Sequence, residues 1–372
     1  MKKQERGLRI EDREETNPSL GSSKRCIESC FPQSSILDPQ SPILDPRSSI
    51  KLPPAIFLMG PTASGKTGVA VELAQTMPVE IISVDSALVY RGMNIGTAKP
   101  DDETLARAPH HLIDIINPTE AYSAAAFRHD ALRLMRDITA RGKVPLLTGG
   151  TMLYFRVLQH GLSPLPEADP AIRASLDAEI AQHGIEHLHK QLAAVDAETA
   201  ARLKPADTQR IQRAMEIFRL TGQPMSLLLQ QKTHGEMPYR ILPIALIPSS
   251  RSVLHQRIAA RFKHMLEQGL VNELRALRKK YPLHPDMTSM RCVGYRQAWQ
   301  FIEGEINEAQ LLETGIAATR QLAKRQLTWL RAMPDNIELD CLAPNPAQTV
   351  FDKIRQSAIM RPMIFNAPTF NI

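Results

Sequence analysis

Cysteine is scarce, with four residues in 372, at Cys26, Cys30, Cys292 and Cys341. A small disulfide-built scaffold is excluded, and the CxxxC pair at 26 and 30 has no matching His or Cys pair at zinc-finger spacing. Isolated reduced thiols are expected. Long apolar runs are missing too. The longest, Ile241 to Pro248, is broken by proline and falls far short of the roughly 20 residues that a membrane span needs. The first residues turn acidic without an apolar stretch, so no secretory signal is expected and a cytoplasmic location follows. Aromatic residues make up only 5%, and acidic residues are outnumbered, leaving a net charge of +6. What remains, 43% apolar and 23% charged, is the composition of a soluble globular chain long enough for about two domains.

Residues 1–53 are rich in Ser, Pro and charge and carry a seven-residue period, SSILDPQ, SPILDPR, SSIKLPP, from Ser34 onward. Such low complexity cannot bury enough surface to offset ordering entropy, so a disordered extension is expected. From Pro54 the pattern changes. AIFLMG (55–60), VEIISVDS (79–86), LIDII (112–116) and KVPLLTGG (143–150) have the β-branched, apolar character of buried strands, and helical periodicity separates them over 66–76 and 123–142. Alternation of this kind predicts an α/β fold, a parallel sheet core with helices on both faces. Residues 166–237 show helical periodicity with no strand between, an all-helical insertion into a core formed by 54–165 and 238–340. The strand-like YRILPIALIP resumes the sheet at 239–248, helices are expected over 252–281 and 307–331, and a loose tail over 341–372.

GPTASGKT, formed by Gly60, Pro61, Thr62, Ala63, Ser64, Gly65, Lys66 and Thr67, matches the GxxxxGK[ST] phosphate loop and lies between a predicted strand and a predicted helix. Glycines let backbone N–H groups curl around phosphate oxygens, the helix N-terminus adds a positive dipole end, and Lys66 supplies a point charge. The Thr67 hydroxyl is placed to ligate Mg²⁺, the expected cofactor. The loop predicts a bound diphosphate or a nucleotide such as ATP without choosing between them. Asp85 closes the second predicted strand, where open α/β sheets place their ligand crevice. A general base, a metal-linked carboxylate and a helix cap all suit it there. TGGT, ending at Thr151, closes another strand at the same edge, and either a close ligand approach or a tight turn explains its glycines. His110 and His111 are adjacent without a second cluster, a poor metal site.

The segment from Arg251 to Arg331 holds ten Arg and four Lys against seven acidic residues, more positive charge than the whole chain's net. Within it, Arg291, Cys292, Val293, Gly294, Tyr295 and Arg296 form RCVGYR. Lys324, Arg325, Gln326, Leu327, Thr328, Trp329, Leu330 and Arg331 form KRQLTWLR. Arg binds phosphates bidentately and aromatics stack on exposed bases, a combination suited to single-stranded or loop nucleic acid. Inside the insertion, QRIQR (Gln209, Arg210, Ile211, Gln212, Arg213) sets Arg210 and Arg213 on one helical face. Singly, each run also suits a solvated helix face.

Taken in order, MGPTASGKT, IISVDSALVYRGMNIGTAKP, HHLIDI, LLTGGTMLYF, DTQRIQRAMEI, RCVGYRQAW and TRQLAKRQLTWLR resemble the bacterial tRNA dimethylallyltransferases, from about Ile56 to Met333. The resemblance implies a P-loop-like core and transfer of a dimethylallyl group from dimethylallyl diphosphate to N6 of the adenosine at tRNA position 37, beside the anticodon. The loop would then hold the diphosphate leaving group rather than ATP, with Lys66, Thr67 and Mg²⁺, and with Arg261 as a further cation. Asp85 would be the general base. The resemblance assigns tRNA contact to Asp85, Ser86, Ala87, Leu88, Thr151, Arg173, Gln209 to Arg213, Arg291 to Arg296 and Lys324 to Arg331, with the insertion gripping the anticodon stem-loop. It implies a cytoplasmic enzyme, read as a monomer, without membrane contact. A small-molecule or nucleotide kinase, marked by ATP-dependent phosphoryl transfer, and a non-enzymatic RNA-binding NTPase are the alternatives.

Overall fold

The structure, a computed structural model, describes residues 52–163, 165–230 and 237–360. The first apolar run forms β1 (Pro54–Met59), and the phosphate loop leads from it into α1 (Lys66–Thr76). There follow β2 (Val79–Val84), α2 (Asp102–Arg107), β3 (His110–His111), α3 (Ala124–Ala140), β4 (Val144–Gly149) and α4 (Met152–His160). The next stretch is helical: α5 (Pro170–His183), α6 (Ile185–Val195), α7 (Ala197–Arg202), α8 (Thr208–Thr221) and α9 (Met225–Gln230). The sheet resumes at β5 (Arg240–Ile247), and then come α10 (Arg251–Glu267), α11 (Leu270–Lys280), α12 (Tyr295–Ile302), α13 (Glu308–Ala332), β6 (Ile337–Asp340) and α14 (Pro346–Gln356).

Six strands in the order β3-β2-β4-β1-β5-β6 make one sheet, and every pairing is parallel. Period-two alternation splits β1 between two cores. Ala55, Phe57 and Met59 pack with α3, α4, α10 and α13, whereas Ile56 and Leu58 pack with α1 and α14. Both faces are covered, which is why the strands read as unbroken apolar runs. The chain moves one way along the sheet from β1 to β2 and the other way from β3 to β4, so right-handed crossovers place α1 and α3 on opposite faces.

Helices α5 to α8 close around a core of their own, with Leu176, Leu188, Leu192 and Ile211 fully buried. The predicted strand at 112–116 is instead a turn. Leu112 and Asp114 have φ of 65° and 55°, left-handed values that cannot continue a pleat, and the Asp114 and Ile115 N–H groups bond to the Leu88 and Val89 carbonyls. The sheet takes only His110 and His111, opposite Ile81 and Ile82. The helix expected over 252–281 is two, divided at Gly269 (φ 98°). The expected loose tail carries α14, whose Val350 and Ile354 are wholly buried beside α1. Its i, i+4 apolar pair needed only a partner face. The expected disordered extension and the Cys26–Cys30 pair lie outside the described residues, Leu52 and Pro53 apart. No helix among the described residues is long and apolar enough to cross a membrane.

Candidate active site

Three neighbouring strands, β2, β4 and β1, end at one edge of the sheet, and the turn after each carries a sequence motif. After β1, Gly65 takes φ 83°, a left-handed turn that glycine adopts without steric cost and that swings the chain into α1. No side chain caps α1, so its first-turn N–H groups and positive dipole end are open to an anion. Lys66 lies at the head of that helix and its Nζ donates to the Pro61 carbonyl at 3.3 Å. After β2, the Asp85 Oδ1 accepts the Ala87 N–H at 2.9 Å, which fixes the carboxylate's rotamer. After β4, the Thr151 Oγ1 accepts the Ser86 N–H at 3.1 Å and so ties the second and third turns together.

These turns open onto a cavity of about 820 Å³. Thr62, Lys66, Thr67, Asp85 and Thr151 line it from the sheet edge, and Ser86, Ala87 and Leu88 continue the wall. α10 contributes Ile258, Arg261, Phe262 and Met265, whose i, i+3, i+4, i+7 spacing puts them on one helical face. Desolvation pulls the Lys66 ammonium down to about 8, with Asp85 opposing the shift and Arg261 adding to it. Desolvation also lowers the Arg261 guanidinium below its usual range, again with Asp85 in opposition. Two cations thus share one carboxylate in a partly dry space, an arrangement with positive charge to spare for an anion.

Polar groups without protein partners face the same space. The hydroxyls of Ser83 and Thr148, adjacent across β2 and β4, are buried and unbonded. His110 accompanies them. Its Nδ1 lies 2.6 Å from the Ala108 carbonyl, which assigns that nitrogen as the donor and leaves the buried Nε2 without a partner. Desolvation lowers the His110 pKa, favouring the neutral ring. His111 turns away to Glu80, at 3.1 Å.

The chain matches the family model described as IPP transferase over residues 88–333. It is 67% identical to the tRNA dimethylallyltransferase of Methylobacillus flagellatus over 291 residues, which is 78% of this chain and 92% of that protein. The chain belongs to the IPP transferase family. The tRNA dimethylallyltransferase of Herminiimonas arsenicoxydans is 62% identical, over 81% of this chain and 95% of that one. Among solved structures, the full-length tRNA isopentenylpyrophosphate transferase of Bacillus halodurans is similar at a TM-score of 0.61 and 33% identity, covering 84% of this chain and 98% of that chain.

Within this IPP transferase, the residues that the resemblance assigned to tRNA fall into two groups. Gln209, Arg291, Cys292, Val293, Arg296, Arg325 and Trp329 line the cavity with the sheet-edge residues. Lys324, Thr328 and Arg331 are exposed along the same helix, α13. Others are withdrawn from contact. Ile211 and Leu330 have no accessible surface, Leu327 is buried, Gln326 is buried although it borders the cavity, and Gly294 is enclosed at the start of α12. Tyr295, expected to stack on a base, is fully buried and its hydroxyl donates to Glu273 Oε1 at 2.5 Å. Each occupies the inward stripe of its helix, which a run of named residues does not distinguish from the outward one.

In the insertion, Arg213 is engaged. Its guanidinium donates to Glu216 Oε2 at 2.6 Å and to the Pro166 carbonyl at 2.5 Å, while Arg173 holds the other oxygen of the same carboxylate at 2.9 Å. Glu216 is wholly buried, so both arginines neutralise an internal charge. Gln212 donates to Asp177 at 2.6 Å, and Arg210 stays outside, 74% exposed beside Asp207.

No motif marks Glu273, yet it anchors the loop over residues 94–96. Its carboxylate accepts the N–H groups of Asn94, Ile95 and Gly96 at 2.9, 2.8 and 3.2 Å. Lys99 completes the clamp by donating to the Tyr90 carbonyl at 2.9 Å and to Asp114 at 2.5 Å. A lone Glu on a helix carries no spacing signal for either role.

Proposed function

We propose that the protein transfers a dimethylallyl group from dimethylallyl diphosphate to N6 of the adenosine at tRNA position 37 and releases diphosphate. The observation that carries this is one cavity in which Asp85 faces Lys66, Thr67 and Arg261, between a phosphate loop and an arginine-bearing rim. The diphosphate is held by Lys66, Arg261 and the open N–H groups of α1. As the allylic C–O bond breaks, its electron pair leaves with the diphosphate, and these fixed charges stabilise it without reorganising. The apolar side chains of Ile258, Phe262 and Met265 receive the prenyl tail.

Adenine N6 is a poor nucleophile because its lone pair is delocalised into the ring. Asp85, held by the Ala87 N–H, orients the amine and takes one proton as the N–C bond forms. A base stacked in an anticodon loop cannot reach that carboxylate, so it must be extruded into the cavity. Arg291, Arg296, Arg325 and Trp329 at the rim suit the phosphates and bases that flank it.

The residues fit Mg²⁺. Thr67, Ser83 and Thr148 offer neutral oxygens, two of them without protein partners, and hard oxygen donors with room for water suit this ion. Thr67 would hold it, and when bound it would neutralise charge on the leaving diphosphate. The protein acts in the cytoplasm as a monomer, and the insertion holds the anticodon stem-loop.

The test is nucleoside mass spectrometry of unmodified tRNA incubated with the protein, Mg²⁺ and dimethylallyl diphosphate, beside an ATP-only control. An adenosine heavier by one prenyl group is expected with the wild type and absent with Asp85→Asn, which should still bind tRNA. ATP consumption without that product would hand the site to a kinase or NTPase.

A further inference from the structure

Gln326 stands in the segment that the resemblance assigns to tRNA, yet its side chain is only 9% exposed and borders the cavity from within, beside the phosphate loop. Its Oε1 accepts the Thr62 N–H at 2.9 Å. Its Nε2 donates to the Gly150 carbonyl at 2.9 Å. One primary amide therefore joins the phosphate loop after β1 to the turn after β4, from a helix far from both in sequence. The fit is close: a Cβ on Gly150 would come within 2.3 Å of Nε2, so a larger residue there must displace the amide. The amide accepts from one partner and donates to the other at once, whereas a carboxylate lacks the donor and an aliphatic chain lacks both.

We propose that Gln326 is a positioning residue for the phosphate loop and not a tRNA contact. By engaging the Thr62 N–H it pins the first half of the loop, which leaves the N–H groups at the head of α1 to face the anion. The same helix presents Arg325 and Trp329 to the cavity rim, one residue before and three after. α13 is thus a rigid link between the diphosphate site and the surface that faces the polynucleotide. The inference rests on reading the loop as the diphosphate site.

The experiment measures binding of inorganic pyrophosphate with Mg²⁺ by calorimetry, and of tRNA by fluorescence anisotropy, for the full-length wild type, Gln326→Glu, Gln326→Leu and Gly150→Ala. Loss of one buried hydrogen bond with a stranded partner corresponds to about tenfold. Pyrophosphate affinity and the KM for dimethylallyl diphosphate should each worsen by at least about that factor, while tRNA affinity stays unchanged. Gly150→Ala keeps α13 intact and displaces the amide from the other side, so it should show the same selective defect even where a Gln326 variant fails to fold. Unchanged pyrophosphate binding across the variants would overturn the proposal, and so would a loss confined to tRNA. A wild type that binds tRNA but no pyrophosphate would instead remove the diphosphate assignment, and the proposal with it.

Discussion

Lys66 and Arg261 bring two positive charges into a cavity where Asp85 is the carboxylate that opposes them. Desolvation leaves the Lys66 ammonium at about 8, so in the free protein it begins to lose its proton just above neutrality. A bound diphosphate favours the charged form and raises that value. Binding above pH 8 must therefore take up a proton, and affinity must fall as the pH rises through and beyond 8, whereas below about pH 7 Lys66 is already charged and contributes no uptake. Calorimetry of pyrophosphate binding in two buffers of different ionisation enthalpy reads this directly. Equal apparent enthalpies in both buffers at about pH 9 would show that Lys66 is not the group that titrates. Desolvation and then Asp85 push the thiol of Cys292, on the same cavity, up to about 12, which favours its protonated form at neutral pH.

At the scale of elements, the arginines of the insertion separate support from contact. Glu216 in α8 is buried and takes both Arg173 and Arg213, and removing one partner leaves part of an internal charge uncompensated. Arg213→Ala should lower stability by about 2 kcal/mol, less than the ~3 to 5 for a wholly buried pair because Arg173 remains. Arg210→Ala, at an exposed site, should change stability by less than about 0.5 kcal/mol and reduce the salt slope of tRNA binding by about one. Denaturant midpoints and a salt titration of both variants test this, and equal stability of the two would refute the division. The elements themselves were largely legible. β1, β2, β4 and β5 are continuous apolar runs because they are covered on both faces, and the phosphate loop is a contiguous motif. β3 was not, since two histidines carry no strand signal. In the site, Lys66, Thr67 and Asp85 were readable because they sit in motifs. Glu273 and the inward role of Gln326 were not, because each is defined by backbone groups distant in sequence. Tyr295 shows the same limit: its ring was read as a stacking surface, but helical phase turns it toward Glu273.

The whole molecule depends on both faces of its sheet being closed, and one closure comes from the end of the described chain. Helix α14 lies beside α1 and β6, and its Ala347, Val350 and Ile354 share a core with Val69, Ala70 and Leu73 of α1 and with Ile56 and Leu58 of β1. β1 carries the phosphate loop and α1 begins with Lys66, so this core sets the angle at which loop and helix meet. Removing the chain from Pro346 onward deletes Val350 and Ile354 and forfeits their burial, worth about 1.5 to 3 kcal/mol each. It also uncovers the side chains of α1 that they shield. A loss of at least about 3 kcal/mol is a large share of the ~5 to 15 that holds a domain together. The shortened protein should therefore unfold at a clearly lower denaturant midpoint and bind pyrophosphate more weakly, while its tRNA affinity at low denaturant should change less, because α13 packs on the other face of the sheet. A midpoint equal to that of the full chain would mean that α1 keeps its place without α14, and that the strand-loop-helix unit supports the phosphate loop alone.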